Sequence, residues 1–162
     1  MEFLDVVNEK DEVIGKAPKR EVWKRCLPHR IVHILIFNKK GRMALQLRSK
    51  HVIFPQHWCT SVGGHVSSGE TYEQAALREF EEELGTKTKI DFAYKDFFTD
   101  SRGYKLFMVT FKSVFEGTFK LNPKEVEKIE FFGLNEIKAM IAKGEKFHPQ
   151  LLFLLKKHFN VV

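Results

Sequence analysis

Cysteine is scarce in this 162-residue chain, with only Cys26 and Cys59, and neither sits in a spacing that would bind metal or define a disulfide framework. Two isolated cysteines read as reduced thiols, which points to a cytoplasmic protein. Long apolar runs are also missing. No stretch of 18 apolar residues exists to cross a bilayer, and Met1 to Asp5 lacks the basic region and apolar segment of a secretory signal. Repeats, low-complexity tracts and long linkers are absent as well, so residues 1–162 are expected to form one domain, large enough for a core without disulfides or a structural metal.

Negative charge is in deficit overall, 21 acidic against 27 basic residues, for a net charge of +6. That balance favours polyanions of every kind without choosing among them. The basic residues gather at Lys16, Lys19, Arg20, Lys24, Arg25 and Arg30, then again from Lys39 to Lys50. Aromatics do not interleave with them as a single-strand stacking platform requires, so nucleic acid is not the expected partner.

Against this basic background, one segment is strongly acidic. Within residues 64–86, Glu79, Glu82 and Glu83 fall within roughly 100° of arc on one side of a predicted helix. Like charges at that spacing repel unless solvent screens them or a cation bridges them. Taken alone, an acidic run of this kind is often a solvated helix face. Leu77, Phe80 and Leu84 form an apolar stripe roughly 140° away, expected to anchor the helix in the core. The small Ala75 and Ala76 would let a ligand or the preceding loop approach. Hard carboxylate oxygens suit Mg²⁺ or Mn²⁺, the former commonly shared with substrate phosphates.

Gly64, Glu70, Arg78, Glu79, Glu82, Glu83 and Gly85 together reproduce the spacing of the Nudix signature, and the segment resembles that hydrolase family at seven fixed positions. Chance agreement at a given register is on the order of 10⁻⁸. Thr86 departs from the aliphatic residue preferred there, but a β-branched side chain can still begin a strand. The resemblance implies an α+β fold, a Nudix-like α/β/α sandwich with a mixed β-sheet. It further implies that Glu79, Glu82 and Glu83, with the Gly64 carbonyl, hold the divalent cations, and that Arg78 pairs with Glu70 to fix the loop against the helix. The activity implied is pyrophosphohydrolysis of a nucleoside diphosphate linked to another moiety, a small-molecule substrate, by a monomer or homodimer.

The rest of the chain supplies the surroundings. Val6-Val7 and Val13 to Gly15 read as a hairpin, Arg20 to Leu27 as a helical turn, and Ile31 to Phe37 with Met43 to Leu47 as paired strands. In the second of these, Gln46 and Arg48 alternate with the apolar positions, and Arg48 becomes a candidate phosphate contact. His51 to Thr60 has no clean period and reads as a loop running into Ser61-Val62-Gly63-Gly64. From it Phe54 and Trp58 are candidate stacking residues, although such aromatics are more commonly buried in the core, with Gly63 beside the substrate. Thr88 to Phe98, Tyr104 to Val114 and Glu130 to Phe132 are predicted strands, and Asn135 to Ile141 and Pro149 to Phe159 predicted helices. Glu125 and Glu127, just ahead of the last strand, are the candidates for a general base.

A second, looser resemblance extends over most of the chain. Asp5 to Glu9, Pro28-His29-Arg30, and Phe54 to Trp58 ahead of Gly63-Gly64-His65 are similar to type 1 isopentenyl-diphosphate isomerase. It supplies an alternative, an isomerase-like enzyme; a degenerate nucleotide- or RNA-binding module is another. The isomerases place a catalytic cysteine where this chain has Gly63, and the first of their three metal-binding histidines falls on Val22. His29 and His65 match the other two and are candidate ligands for a second metal. Cys59, four residues before Gly63, is a poor substitute for the missing thiol.

Overall fold

A computed structural model describes residues 1–161. Strand β3 (His29–Phe37) is the axis, because its apolar residues serve both faces: Ile31, Val32, Ile34, Leu35 and Ile36 are all buried. It runs parallel to β8 (Lys105–Val114) in unbroken register from His29 opposite Leu106 to Phe37 opposite Val114. β8 pairs antiparallel with β7 (Asp91–Thr99), completing one half of a seven-stranded mixed sheet. In the other half, β4 (Met43–Arg48) lies antiparallel to β9 (Val126–Phe132).

β3 and β4 touch in register only at Phe37 and Met43, then diverge. Two short strands fill the opening. β5 (Trp58–Cys59) pairs with the end of β4, and β6 (Val62–His65) with the first half of β3. Ser61 stitches the fork: its Oγ accepts from the Ile36 amide at 2.8 Å and donates to the Ala44 carbonyl at 2.6 Å. Buried backbone groups must find such partners. The expected loop from His51 ends instead in the strand β5, and the Ser61–Gly64 segment it runs into carries β6. Neither strand has apolar alternation; pairing with β3 and β4 makes them strands.

Alternation along β3 divides the core. Val32, Ile34 and Ile36 face helix α2 (Tyr72–Leu84), whereas Leu35 packs with Ile137 of α3 (Leu134–Ala142) and Leu151 and Leu155 of α4 (Pro149–Phe159). Helices on both faces of a mixed sheet give the expected α/β/α sandwich. A separate hairpin, β1 (Phe3–Val7) with β2 (Val13–Pro18), leads into the short helix α1 (Lys19–Lys24).

α2 departs from the expected anatomy. Leu77 is 39% exposed, while Ala75 and Ala76 are fully buried. Two adjacent i, i+4 columns face inward, Ala76-Phe80-Leu84 into the core and Ala75-Glu79-Glu83 beside it. The acidic and apolar faces therefore adjoin, and the alanines are core residues rather than an approach for ligand. Thr71 and Gln74 close a capping box at the helix start. Gly85 ends the helix at φ 65°, where a Cβ would lie 2.7 Å from the Lys120 carbonyl oxygen.

Candidate active site

Where β3 and β4 fork, a cleft of about 840 Å³ opens between α2, β6 and the loops after β4 and β7. Glu79 and Glu83, one turn apart on the inner column of α2, reach it together with Glu125, which stands just ahead of β9. One carboxylate oxygen from each lies within 4.8 Å of the others. Glu79 and Glu83 are only 9% and 4% exposed. Burial pushes the Glu79 carboxyl up to about 7, with Glu82 and Glu125 adding repulsion and Arg78 opposing it. Glu83 is raised well above the usual carboxylate range, again by burial first and then by Glu79. Three crowded carboxylates with this desolvation form a hard-oxygen set suited to a small divalent cation.

Each buried glutamate has one oxygen fixed by protein. Arg78 Nη1 donates to Glu79 Oε1 at 2.8 Å, and Gln46 Nε2 donates to Glu83 Oε2 at 2.9 Å. The Gln46 amide also reaches the Ser61 carbonyl at 3.1 Å, so its orientation is set from two sides. Gly63 adds a backbone donor to Glu83. Gly64 allows Glu79 into place by lacking a side chain: a Cβ there would sit 2.2 Å from Glu79 Cδ.

Arg78 joins the helix to the loop before it. Its Nε and Nη2 grip both oxygens of Glu70 at 2.7 and 2.9 Å, and Nη2 also reaches the His65 carbonyl at 3.1 Å. Glu70 in turn accepts from the Ser67 amide. The paired guanidinium holds Glu70 below its ordinary pKa. Glu82 also lines the cleft, but its side chain is 50% exposed and pairs with Arg78 at 3.3 Å. Glu125, not Glu82, completes the close carboxylate group.

Several other sequence candidates fall differently. Trp58 is 8% exposed in β5, packed edge-on against Phe132 with ring centroids 5.3 Å apart, and does not line the cleft. The β4–β5 pairing turns it toward α4, so it is a core residue and not a stacking residue. Glu127 lies on β9, which begins four residues earlier than expected, and its carboxylate accepts from Gln56 outside the cleft. It is removed from the general-base candidates. Cys59 borders the cleft but is buried, and its thiol is pushed up by that burial. Arg48 and Phe54 do line the cleft; Arg48 Nε donates to the Ile53 carbonyl at 2.8 Å.

His29 and His65 stack with centroids 5.6 Å apart on the cleft wall, and Trp23 tilts against His65 at the same distance. Burial lowers both imidazoles, His65 to about 3, and His29 Nδ1 is bonded to the Leu27 carbonyl at 2.8 Å. Among the described residues, neither belongs to a three-ligand cluster.

The sequence reading missed Gln46 as the partner of Glu83, and Arg102 and Tyr104 on the cleft wall. A signal existed for Gln46, a lone amide alternating with apolar residues on a core strand. Arg102 and Tyr104 carried none, because their approach depends on how the β7–β8 connection folds over the sheet.

The NUDIX domain model matches residues 27–155. An uncharacterised Nudix hydrolase of Pseudomonas aeruginosa, PA4841, is 33% identical over 98% of this chain and 94% of its own length. Another from Listeria monocytogenes, lmo0368, is 33% identical over 99% and 95% respectively. The crystal structure of DR0079 from Deinococcus radiodurans superimposes with a TM-score of 0.85 at 30% identity, covering 98% of this chain and 99% of that one. With the glutamate helix seated as described, this chain belongs to the Nudix hydrolase family, enzymes that act on pyrophosphate bonds.

Proposed function

We propose that this protein hydrolyses a diphosphate linkage in a nucleoside diphosphate joined to another moiety, with Mg²⁺ or Mn²⁺ as cofactor. The reading is carried by one observation: Glu79, Glu83 and Glu125 bring oxygens within 4.8 Å of one another at a cleft large enough for a nucleotide. Glu79 and Glu83 would hold the cation, with Glu82 and the Gly64 carbonyl as further donors, and Glu125 stands beside them. The cation, when bound, supplies charge neutralisation at the diphosphate and acidification of water.

The chain's own groups do the rest. Gln46 and Arg78 fix Glu83 and Glu79, so that each carboxylate presents a single oxygen to the cleft. Glu70 keeps Arg78 in place. Glu125, reaching the cleft from outside α2, accepts the proton of the attacking water. Arg48, with Nε tied to Ile53, keeps its terminal nitrogens for phosphate oxygens. Residues 1–162 act as one catalytic domain, monomeric or homodimeric. No helix among the described residues is long and apolar enough to cross a membrane. The two free cysteines favour a cytoplasmic setting.

No observation favours the isomerase or the binding-module alternative. Gly63 offers no proton-transfer group, and the Cys59 thiol, though beside the cleft, is buried and pushed up by that burial. The test is turnover of nucleotide sugars, dinucleoside polyphosphates and nucleoside triphosphates with Mg²⁺, with products identified. Release of a nucleoside monophosphate and the phosphorylated second moiety is expected. No hydrolysis of any member at high enzyme concentration would sink the reading.

A further inference from the structure

Glu79 and Glu83 reach the cleft from the α2 face of the sheet, whereas another stretch of its wall belongs to the start of α4, on the opposite face. One side chain there has no part in the site described so far. His148 is the N-cap of α4 and lines the cleft although only 9% of it is exposed. Its polar atoms can be followed one by one. The backbone amide donates to the Trp58 carbonyl at 2.8 Å, and the backbone carbonyl accepts from the Leu152 amide at 3.1 Å. Nδ1 accepts from the Gln150 amide at 3.2 Å, so in the neutral ring the proton sits on Nε2. Nε2–H has no partner among the described residues, which leaves it to donate into the cleft.

Capping does not account for the residue. Ser, Asp and Asn cap helices with shorter side chains, whereas this imidazole caps with one nitrogen and presents a second, donating nitrogen beyond it. The ring is held from several sides. Phe54 packs edge-on against it, with centroids 4.7 Å apart. Gln150, in the first turn of α4, is bound through its side chain to His33 at 2.9 Å, and His33 to Thr60 at 2.6 Å, which ties the start of α4 to β3. Burial first, and then the charge of Arg48, lower His148 to about 3. A neutral imidazole at the positive end of a helix dipole is a polarised N–H donor that keeps its proton.

The acceptor follows from the neighbouring charge. Arg48 acts on His148 more strongly than any other charged group, and it has no ion-pair partner among the described residues. A phosphate held by Arg48 brings oxygen acceptors to the same wall. We propose that His148 is a catalytic hydrogen-bond donor, giving its Nε2–H to an oxygen of the diphosphate on the side away from Glu79 and Glu83. As water bonds to one phosphorus and the bond to the bridging oxygen breaks, charge collects on the departing phosphate. A fixed N–H aimed there strengthens as that charge grows. The proton stays on Nε2, while the proton of the attacking water goes to Glu125. This role deepens the hydrolytic reading above and rests on it.

Two variants separate donor from cap. His148→Asn keeps an acceptor where Nδ1 stands, and with it the cap, but ends short of Nε2; His148→Gln returns an amide N–H to that distance. With Mg²⁺ and ADP-ribose, UDP-glucose or ATP, kcat should fall about 10²-fold in His148→Asn, with KM within about threefold, and recover by about tenfold in His148→Gln. A second measurement needs no variant to turn over. In wild type carrying isotope-labelled histidine, Mg²⁺ with methylenediphosphonate, which has neither base nor cleavable bridge, should move the His148 Nε2–H resonance downfield; the signal is identified by its loss in His148→Asn. An unchanged kcat in His148→Asn, a loss confined to KM, or a resonance that does not move overturns the proposal. A wild type that shows the shift but hydrolyses none of the three substrates refutes the hydrolytic reading, and the catalytic role with it, and leaves His148 as a phosphate contact.

Discussion

Gly64→Ala tests the site at its tightest point. The added Cβ would lie 2.2 Å from Glu79 Cδ and 2.3 Å from its Oε1, against the 3.4 Å at which ordinary contact begins. Glu79 must therefore retreat by roughly 1 Å or rotate away. Retreat is obstructed, because Oε1 is held by Arg78 and the side chain is almost wholly buried. The methyl group falls on β6, opposite Val32 of β3, where the backbone cannot shift without disturbing the central pairing. Misplacing a catalytic group by about 1 Å costs on the order of 10²-fold in rate. The expected outcome is a loss of kcat/KM of about that size, with Mn²⁺ affinity, read by electron paramagnetic resonance, weakened in parallel. Gly15→Ala is the control, since nothing lies within 4 Å of its Cβ. A Gly64→Ala enzyme within threefold of wild type, with unchanged Mn²⁺ affinity, would refute the placement of Glu79 as a ligand.

Glu125→Gln should lower activity more than about tenfold and flatten the rising limb of the pH–rate profile, while Glu127→Gln on the outer strand stays within about twofold; parallel profiles check both. Gln46→Leu removes the donor to Glu83 Oε2 and should weaken Mn²⁺ binding by about tenfold, with a stability loss of about 1–3 kcal/mol in urea melts of the cation-loaded protein. In the cation-free protein, the raised Glu79 carboxyl, about 7 against 4.5 unfolded, contributes stability that is complete below pH 4.5 and lost as pH rises through 7. The buried histidines have lowered values and act with the opposite sign below pH 6.5, so the comparison is with Glu79→Gln: wild-type Tm should fall relative to that variant between pH 5 and 8, and a flat difference would contradict it. Finally, no deuterium should enter isopentenyl diphosphate from heavy water, because Gly63 supplies no proton and Cys59 is buried; label uptake abolished by Cys59→Ala would reverse that.

Legibility followed the range of the interactions. Strand β3 and helix α2 announce themselves through local apolar and charge pattern, and the Glu70–Arg78 pair is what the resemblance to the Nudix signature implies. Glu125 and Glu82 could not be ranked that way. Helical periodicity makes Glu82 a neighbour of Glu79 and Glu83, but rotation of α2 about its axis is set by packing of Phe80 and Leu84 beneath the sheet. That rotation carries Glu79 and Glu83 inward and leaves Glu82 half exposed. Glu125 arrives from 42 residues beyond Glu83, through a turn closed by Asn122. Trp58 was ambiguous for the same reason: which face of β5 meets the core is decided by its partner strand, not by its own two residues.

The residues ahead of the family match also bear on the chemistry. Asp5 of β1 accepts from Ser68 Oγ at 2.7 Å and the Gly69 amide at 3.2 Å, and Phe3 accepts from the Ser68 amide, so the hairpin grips the loop that delivers Glu70 to Arg78. The hairpin is itself anchored at Asp11, a buried carboxylate bonded to Arg30 at 2.6 Å, Lys95 at 2.6 Å and Tyr72 at 2.8 Å. These partners sit on β3, on β7 and at the start of α2. With this many donors the Asp11 carboxyl stays below its ordinary pKa despite burial. A buried charge so matched is a locating device more than a source of stability. Here it fixes the hairpin to the sheet and the helix at once, and through Asp5 it fixes the loop. Glu79 and Glu83 repel each other when both are ionised, and that repulsion must be resisted by a scaffold that does not yield when no cation is bound. The capping box and the Asp11 anchor supply that resistance at the start of α2, and Arg78 supplies it beside Glu79.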